Sequence, residues 1–132
     1  MFGKKNDSKP QGRIDSLIGA GTRVEGSIRF SGGLRIDGEV SGSVEAIEGA
    51  SSTLVLSEHA RVEGGISVAH LVSNGTVVGS VSVSESLEMQ SKARIVGDVD
   101  YALIEMHQGA VIEGRLVHRS AKSVELKLAA SN

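Results

Sequence analysis

Residues 77–99, VVGSVSVSESLEMQSKARIVGDV, decide how the rest of the chain is read. The stretch opens on Val77-Val-Gly79-Ser-Val81 and closes on Ile95-Val-Gly97-Asp-Val99, the same apolar-x-Gly-x-apolar pattern. Between the two glycines lie Val81 and Val83, then Leu87 and Met89, alternating pairs set off by Ser- and Gln-containing turns. In extended chain, side chains alternate faces with period two, so the apolar residues and the glycine between them share the inner face. A glycine placed there has no Cβ, which lets the strand bend sharply and lets neighbouring backbone come close. One period therefore reads as three short strands and a glycine corner.

The same pattern recurs on either side of this stretch, as Val24-Glu-Gly26-Ser-Ile28, Ile36-Asp-Gly38-Glu-Val40, Val40-Ser-Gly42-Ser-Val44, Val62-Glu-Gly64-Gly-Ile66 and Ile112-Glu-Gly114-Arg-Leu116. A corner repeated along a chain marks a coiling solenoid. The spacing predicts an all-β fold, a parallel β-helix of about six three-sided coils over residues 14–128. Stacked in register, it would place Val24, Val40, Val62, Val77, Ile95 and Ile112 in one inward column. Ile28, Val44, Ile66, Val81, Val99 and Leu116 would form the next. Gly38 is read as an additional bend, and EGASS (48–52) as an insertion that lengthens the interval from Gly42 to Gly64. Left-handed coils keep a strict six-residue period that these intervals lack, so the helix is expected to be right-handed. The competing reading is an antiparallel sandwich or barrel, carried by Asn74-Gly75 between Leu71-Val-Ser73 and Thr76-Val-Val78, a type I′ hairpin pattern.

Composition agrees with a narrow, stacked interior. Glycine accounts for 17 of 132 residues, and the only aromatics are Phe2, Phe30 and Tyr101. An ordinary core of this size would hold several large rings, since they bury the most area per residue. The net charge of −2 argues against a general nucleic-acid binder, which needs a basic face. The absence of cysteine excludes disulfides and thiolate metal sites. With no apolar run near membrane-span length, a cytoplasmic protein is expected. Residues 1–13, MFGKKNDSKPQGR, read as a disordered tail, and 129–132 as a short polar end. Ile14, Leu17 and Ile18 fit either one helical turn or an extended cap over the first coil.

A solenoid of this kind has two terminal coils whose backbone groups and apolar cross-section lack a neighbour. Proteins normally blunt such edges with a cap, proline or inward charge. Here the C-terminal side carries Val117, Val124, Leu126 and Leu128 without a convincing cap, and the N-terminal side only Ile14, Leu17 and Ile18. These seven residues are the expected contacts of end-to-end polymerisation. In the tail, Phe2 beside Lys4 and Lys5 could insert one ring and hold anionic headgroups, each cation contributing on the order of 1 kcal/mol. One such anchor is weak, but a polymer displays many copies and gains by avidity.

The stretch SLIGAGTRVEGSIRFSGGLRIDGEVSGSV (16–44) resembles the bactofilins, a family of bacterial cytoskeletal proteins, and its most specific portion is GTRVEGSIRFSGGLRIDGEVSG (21–42). Met1-Phe2-Gly3-Lys4-Lys5 also looks like the short membrane-targeting segment that many members carry. The resemblance covers roughly 16–118 and implies a right-handed parallel β-helix that self-assembles into filaments without nucleotide. It further implies a non-enzymatic scaffold on the cytoplasmic face of the inner membrane. Its partners would be other copies of the chain, membrane lipids and peptidoglycan-remodelling enzymes or their membrane partners. No cofactor is expected.

Other signals carry less. Arg23-Val-Glu25, Arg35-Ile-Asp37, Arg61-Val-Glu63 and Arg94-Ile-Val96 place charge outward by parity and read as a solvated face. His59, His70, His107 and His118 match no metal-ligand spacing. Gly19-Ala-Gly21 is too short for a nucleotide loop and lacks its strand, helix and acidic partner. The alternatives to a scaffold are a hexapeptide-type acyltransferase, which would need strict six-residue repeats, and a non-polymeric adaptor, which its solution mass would reveal.

Overall fold

The structure, a computed structural model, describes residues 14–47 and 51–119. The tail at 1–13, the residues Val124, Leu126 and Leu128, and the polar end at 129–132 lie outside the described residues. Among the described residues the regular elements are all strands, numbered here in chain order, and every pairing between them is parallel. No neighbouring strands form a hairpin, so the antiparallel reading fails.

The chain winds round three sides. One side is a six-stranded sheet of β2 (Arg23–Glu25), β5 (Glu39–Ser41), β8 (Arg61–Glu63), β10 (Thr76–Val78), β12 (Arg94–Val96) and β15 (Val111–Glu113). After the glycine corner comes a second side, from β3 (Ile28–Phe30), β6 (Val44–Ala46), the first halves of β9 (Ile66–Ser73) and β11 (Val81–Met89), β13 (Val99–Tyr101) and β16 (Leu116–His118). The third side stacks β1 (Ser16–Ile18), β4 (Gly32–Ile36), β7 (Ser52–Leu56), the second halves of β9 and β11, and β14 (Leu103–Met106). β9 and β11 run across the corner between these two sides and so join them into one ten-stranded sheet. Each circuit is one coil, and the described residues make six.

Both expected columns are present in register. Val24, Val40, Val62, Val77, Ile95 and Ile112 are successive partners. So are Ile28, Val44, Ile66, Val81, Val99 and Leu116. The third side adds Leu34, Leu54, Leu71, Leu87 and Ile104. Burying these branched side chains at roughly 1.5–3 kcal/mol each is what offsets the cost of ordering so glycine-rich a chain. Ser73 sits fully buried between Leu56 and Met89 in a further column, its hydroxyl accepting the Gly75 N–H at 3.3 Å.

The corner glycines behave differently from a simple inward-facing residue. Gly64 has φ +151°, and a Cβ there would collide with the carbonyl oxygen of Gly42 in the preceding coil. Gly97 repeats the arrangement on Gly79, as part of a ladder that runs from Gly26 to Gly114. The missing Cβ thus clears a path along the solenoid axis rather than into the core. Gly38 is not on this ladder. It lies at the corner between the third side and the six-stranded sheet, where a Cβ would meet the Gly19 carbonyl oxygen at 2.5 Å.

That other corner explains the misleading Asn-Gly signal. It is made by four-residue turns at Gly19–Thr22, Ser57–Ala60, Gln90–Ala93 and His107–Ala110, and by two-residue ones at Asp37-Gly38 and Asn74-Gly75. Gly75 nests against the Ser57 and Ala60 carbonyl oxygens, 2.5 and 2.7 Å from where its Cβ would stand. Asn74 accepts the Lys92 N–H at 2.8 Å on its side-chain oxygen, joining coils instead of closing a hairpin. Of the expected insertion, 48–50 lie outside the described residues, and Ser52 already belongs to β7 and pairs with Gly32.

The short Asn74-Gly75 corner lets Lys92 reach over it, and its Nζ donates to Glu58 Oε1 at 2.8 Å. The hydrogen bond from Lys92, then its charge and that of His59, hold the Glu58 carboxyl below the usual range, while Glu58 raises Lys92. This contact acts where both groups are charged. It is lost as pH falls through the lowered Glu58 value or rises through the raised Lys92 value. Lys92→Met is expected to move the Glu58 titration upward, read from its carboxyl carbon resonance; an unmoved titration would refute the pairing.

Candidate assembly surfaces

The two end coils differ from the rest in the neighbours they lack. At the N-terminal end, β1, β2 and β3 each pair with one strand only, β4, β5 and β6. At the other, β14, β15 and β16 pair only with β11, β12 and β13. Among the described residues, each end therefore presents three strands with one edge unpaired, the groups that normally recruit another strand.

The apolar columns stop at the same surfaces. Ile18, Val24 and Ile28 are only partly buried, whereas their partners one coil inward, Ile36, Val40 and Val44, are 0–1% exposed. At the C-terminal end Ile104 and Ile112 are partly buried and Leu116 is 49% exposed, above Leu87, Ile95 and Val99 at 0–1%. Leu103, Met106, Val111 and Val117 add exposed apolar surface round that rim.

Of the residues expected to make assembly contacts, Ile14, Leu17, Ile18 and Val117 fall within the structure, and Val124, Leu126 and Leu128 outside the described residues. The stretch from Ile14 to Ile18 is extended, with Ser16–Ile18 in strand β1, which settles the choice between a helical turn and an extended cap. Ile18 continues the column of Ile36. Leu17 is 60% exposed and lies opposite Arg35, on the outer row, and Val117 lies opposite Asp100 on an outer row too. Val24, Ile28, Ile104, Ile112 and Leu116 are not among those expected contacts, although Val24 and Ile28 begin the two columns read from sequence and Ile112 and Leu116 end them. The membrane-targeting residues Met1, Phe2, Lys4 and Lys5 lie outside the described residues.

Arg119 ties down the last coil. Its guanidinium Nη2 donates to Ser82 Oγ at 2.6 Å and to Asp100 Oδ2 at 3.2 Å, reaching back two coils. The ring of Tyr101 lies 5.5 Å from that of His118 directly above it.

The side faces are charged and paired. Arg61 and Glu63 stand 2.7 Å apart, Arg35 and Asp37 2.9 Å, Arg23 and Glu25 3.3 Å, and Arg94 reaches Glu113 of the next coil at 2.5 Å. All but Asp37, which is 23% exposed, are well exposed, so each pair contributes about 1 kcal/mol or less and serves mainly to keep the faces solvated. His70 bonds Ser86, and His118 the Ala102 carbonyl oxygen. His59 sits beside Glu58.

A family model described as Bactofilin, polymer-forming cytoskeletal, matches residues 16–117. That span runs from the start of β1 to one residue short of the end of β16. Over 102 residues, 77% of the chain, the sequence is 33% identical to Bactofilin BacP of Myxococcus xanthus (strain DK1622), and the match spans 41% of BacP. It is 26% identical over 102 residues to Bactofilin BacO of the same organism, covering 78% of that protein. No solved structure matches the chain.

Proposed function

This chain belongs to the bactofilin family of polymer-forming cytoskeletal proteins, and from that premise we propose that it assembles end to end into filaments without nucleotide. The observation that carries the proposal is the loss of burial where the apolar columns, sealed in the middle coils, reach each end of the stack. Docking one end on another continues the columns and pairs the open strand edges. Both gains come from burial and backbone hydrogen bonds, so nothing in the step requires a phosphate to be cleaved. Negative-stain microscopy of the purified chain at physiological salt, without added nucleotide, is expected to show filaments; only monomers or dimers would sink the proposal.

The finer role follows on the same footing. The filament is placed on the cytoplasmic face of the inner membrane, held by Met1, Phe2, Lys4 and Lys5, as a scaffold for cell-wall enzymes and cell shape. What supports this is the pairing of one aromatic ring with a short basic run at the chain's beginning, repeated along a polymer. Co-sedimentation with anionic liposomes is expected to drop at least ten-fold for a Phe2→Ala, Lys4→Ser variant that still polymerises. Equal binding of variant and parent would reject the anchor.

A further inference from the structure

Glu88 and Glu105 are direct partners on adjacent strands, in the outer row shared by the fifth and sixth coils. Parallel neighbours stand about 4.8 Å apart, and like charges set side by side on a sheet repel. The third member is His107, whose Nε2 lies 3.0 Å from Glu105 Oε2 and 3.4 Å from Glu88 Oε2. One donor atom from each of the three side chains falls within 4.8 Å of the others.

We propose that Glu88, Glu105 and His107 form a binding site for a zinc-class divalent cation that staples the last coil to the one before it. The donor spacing suits the ion. With metal–ligand bonds of about 2.0–2.2 Å, the donors of a tetrahedral site stand about 3.3–3.6 Å apart. The two measured approaches to the imidazole nitrogen bracket the lower end of that range, so small side-chain rotations close the set. An imidazole with two carboxylates favours zinc and its first-row neighbours over magnesium and calcium, which prefer all-oxygen shells. The cation also removes the repulsion between the carboxylates.

The backbone holds the three in place. Glu88 sits near the end of the nine-residue strand β11, and Glu105 in β14 beside it. His107 donates its N–H to the Met89 carbonyl oxygen at 2.8 Å, and its own carbonyl accepts the Ala110 N–H at 3.1 Å. The ligands therefore come from two successive coils, with no spacing along the chain that any metal motif describes. Three protein donors leave a fourth position open to water or to a group from another molecule.

Isothermal calorimetry of the untagged full chain with zinc chloride, in a buffer that does not chelate, is expected to show one equivalent bound per chain. Magnesium chloride should give no heat. Glu105→Gln and His107→Asn, each checked for fold by circular dichroism, should bind zinc at least ten-fold more weakly. X-ray absorption at the zinc edge of the loaded parent protein should show one imidazole among oxygen donors, a readout that needs no variant. The proposal is overturned if millimolar zinc gives no heat, if both variants bind as the parent does, or if the edge reports more than one imidazole.

Discussion

Replacing Gly64 by alanine is expected to lower the stability of the rod by about 3–5 kcal/mol, whereas the same change at the adjacent Gly65 should stay within about 0.5 kcal/mol. The contrast comes from geometry alone. At Gly64 the backbone has φ +151°, a conformation L side chains rarely adopt, and the added methyl would collide with the Gly42 carbonyl, which is backbone and cannot swing aside. At Gly65 no such φ applies, and the new Cβ would meet only the Ser80 carbonyl oxygen at an ordinary 3.7 Å. Chemical denaturation of the two variants separates them. Equal midpoints would mean that the glycine ladder tolerates side chains, and the account of the corners would be wrong.

Leu116→Arg should abolish filaments while leaving the coil intact. Leu116 is the exposed end of a column whose next member, Val99, is fully buried, so an arginine there costs the monomer little. In an end-to-end contact the same guanidinium is buried opposite apolar side chains with no partner. That costs about 3–5 kcal/mol and raises the concentration needed for assembly by more than about a hundred-fold. Val78→Arg, on the outer row of the six-stranded sheet, is the matched control and should assemble as the parent does. Pelleting assays across a concentration series decide the matter. Filaments of Leu116→Arg at the parent's threshold would remove the C-terminal coil from the contact.

The fold was legible because both inward columns beside the corner are written in one repeated pentapeptide, whose two apolar positions and glycine keep their spacing in all six coils. What could not be read is what stands above what when corner lengths vary. Gly38 carries the same pentapeptide as Gly42 yet belongs to the other corner. Asn74-Gly75 has the residues of a hairpin because a tight turn is needed there, but the turn nests under Ser57–Ala60. Ile14, Leu17 and Ile18 keep helical spacing by chance, with Leu17 outward and Ile18 inward on a strand. Glu88, Glu105 and His107 meet only once the fifth and sixth coils are aligned, and no local pattern marks that alignment. The candidate end faces were half visible. Two of their columns can be read from the repeat, and of the seven expected contacts Ile18 ends a column, Ile14, Leu17 and Val117 are exposed, and Val124, Leu126 and Leu128 lie outside the described residues.

The glycine ladder also separates the length of this rod from the way it joins. From Gly64 to Gly79 the chain makes one circuit and arrives at the same backbone conformation, one strand spacing further on. Excising that circuit, or copying it, would splice equivalent points and leave both extremities untouched. Subunits of different reach could then share a single mode of connection, much as beads of unequal size share one clasp.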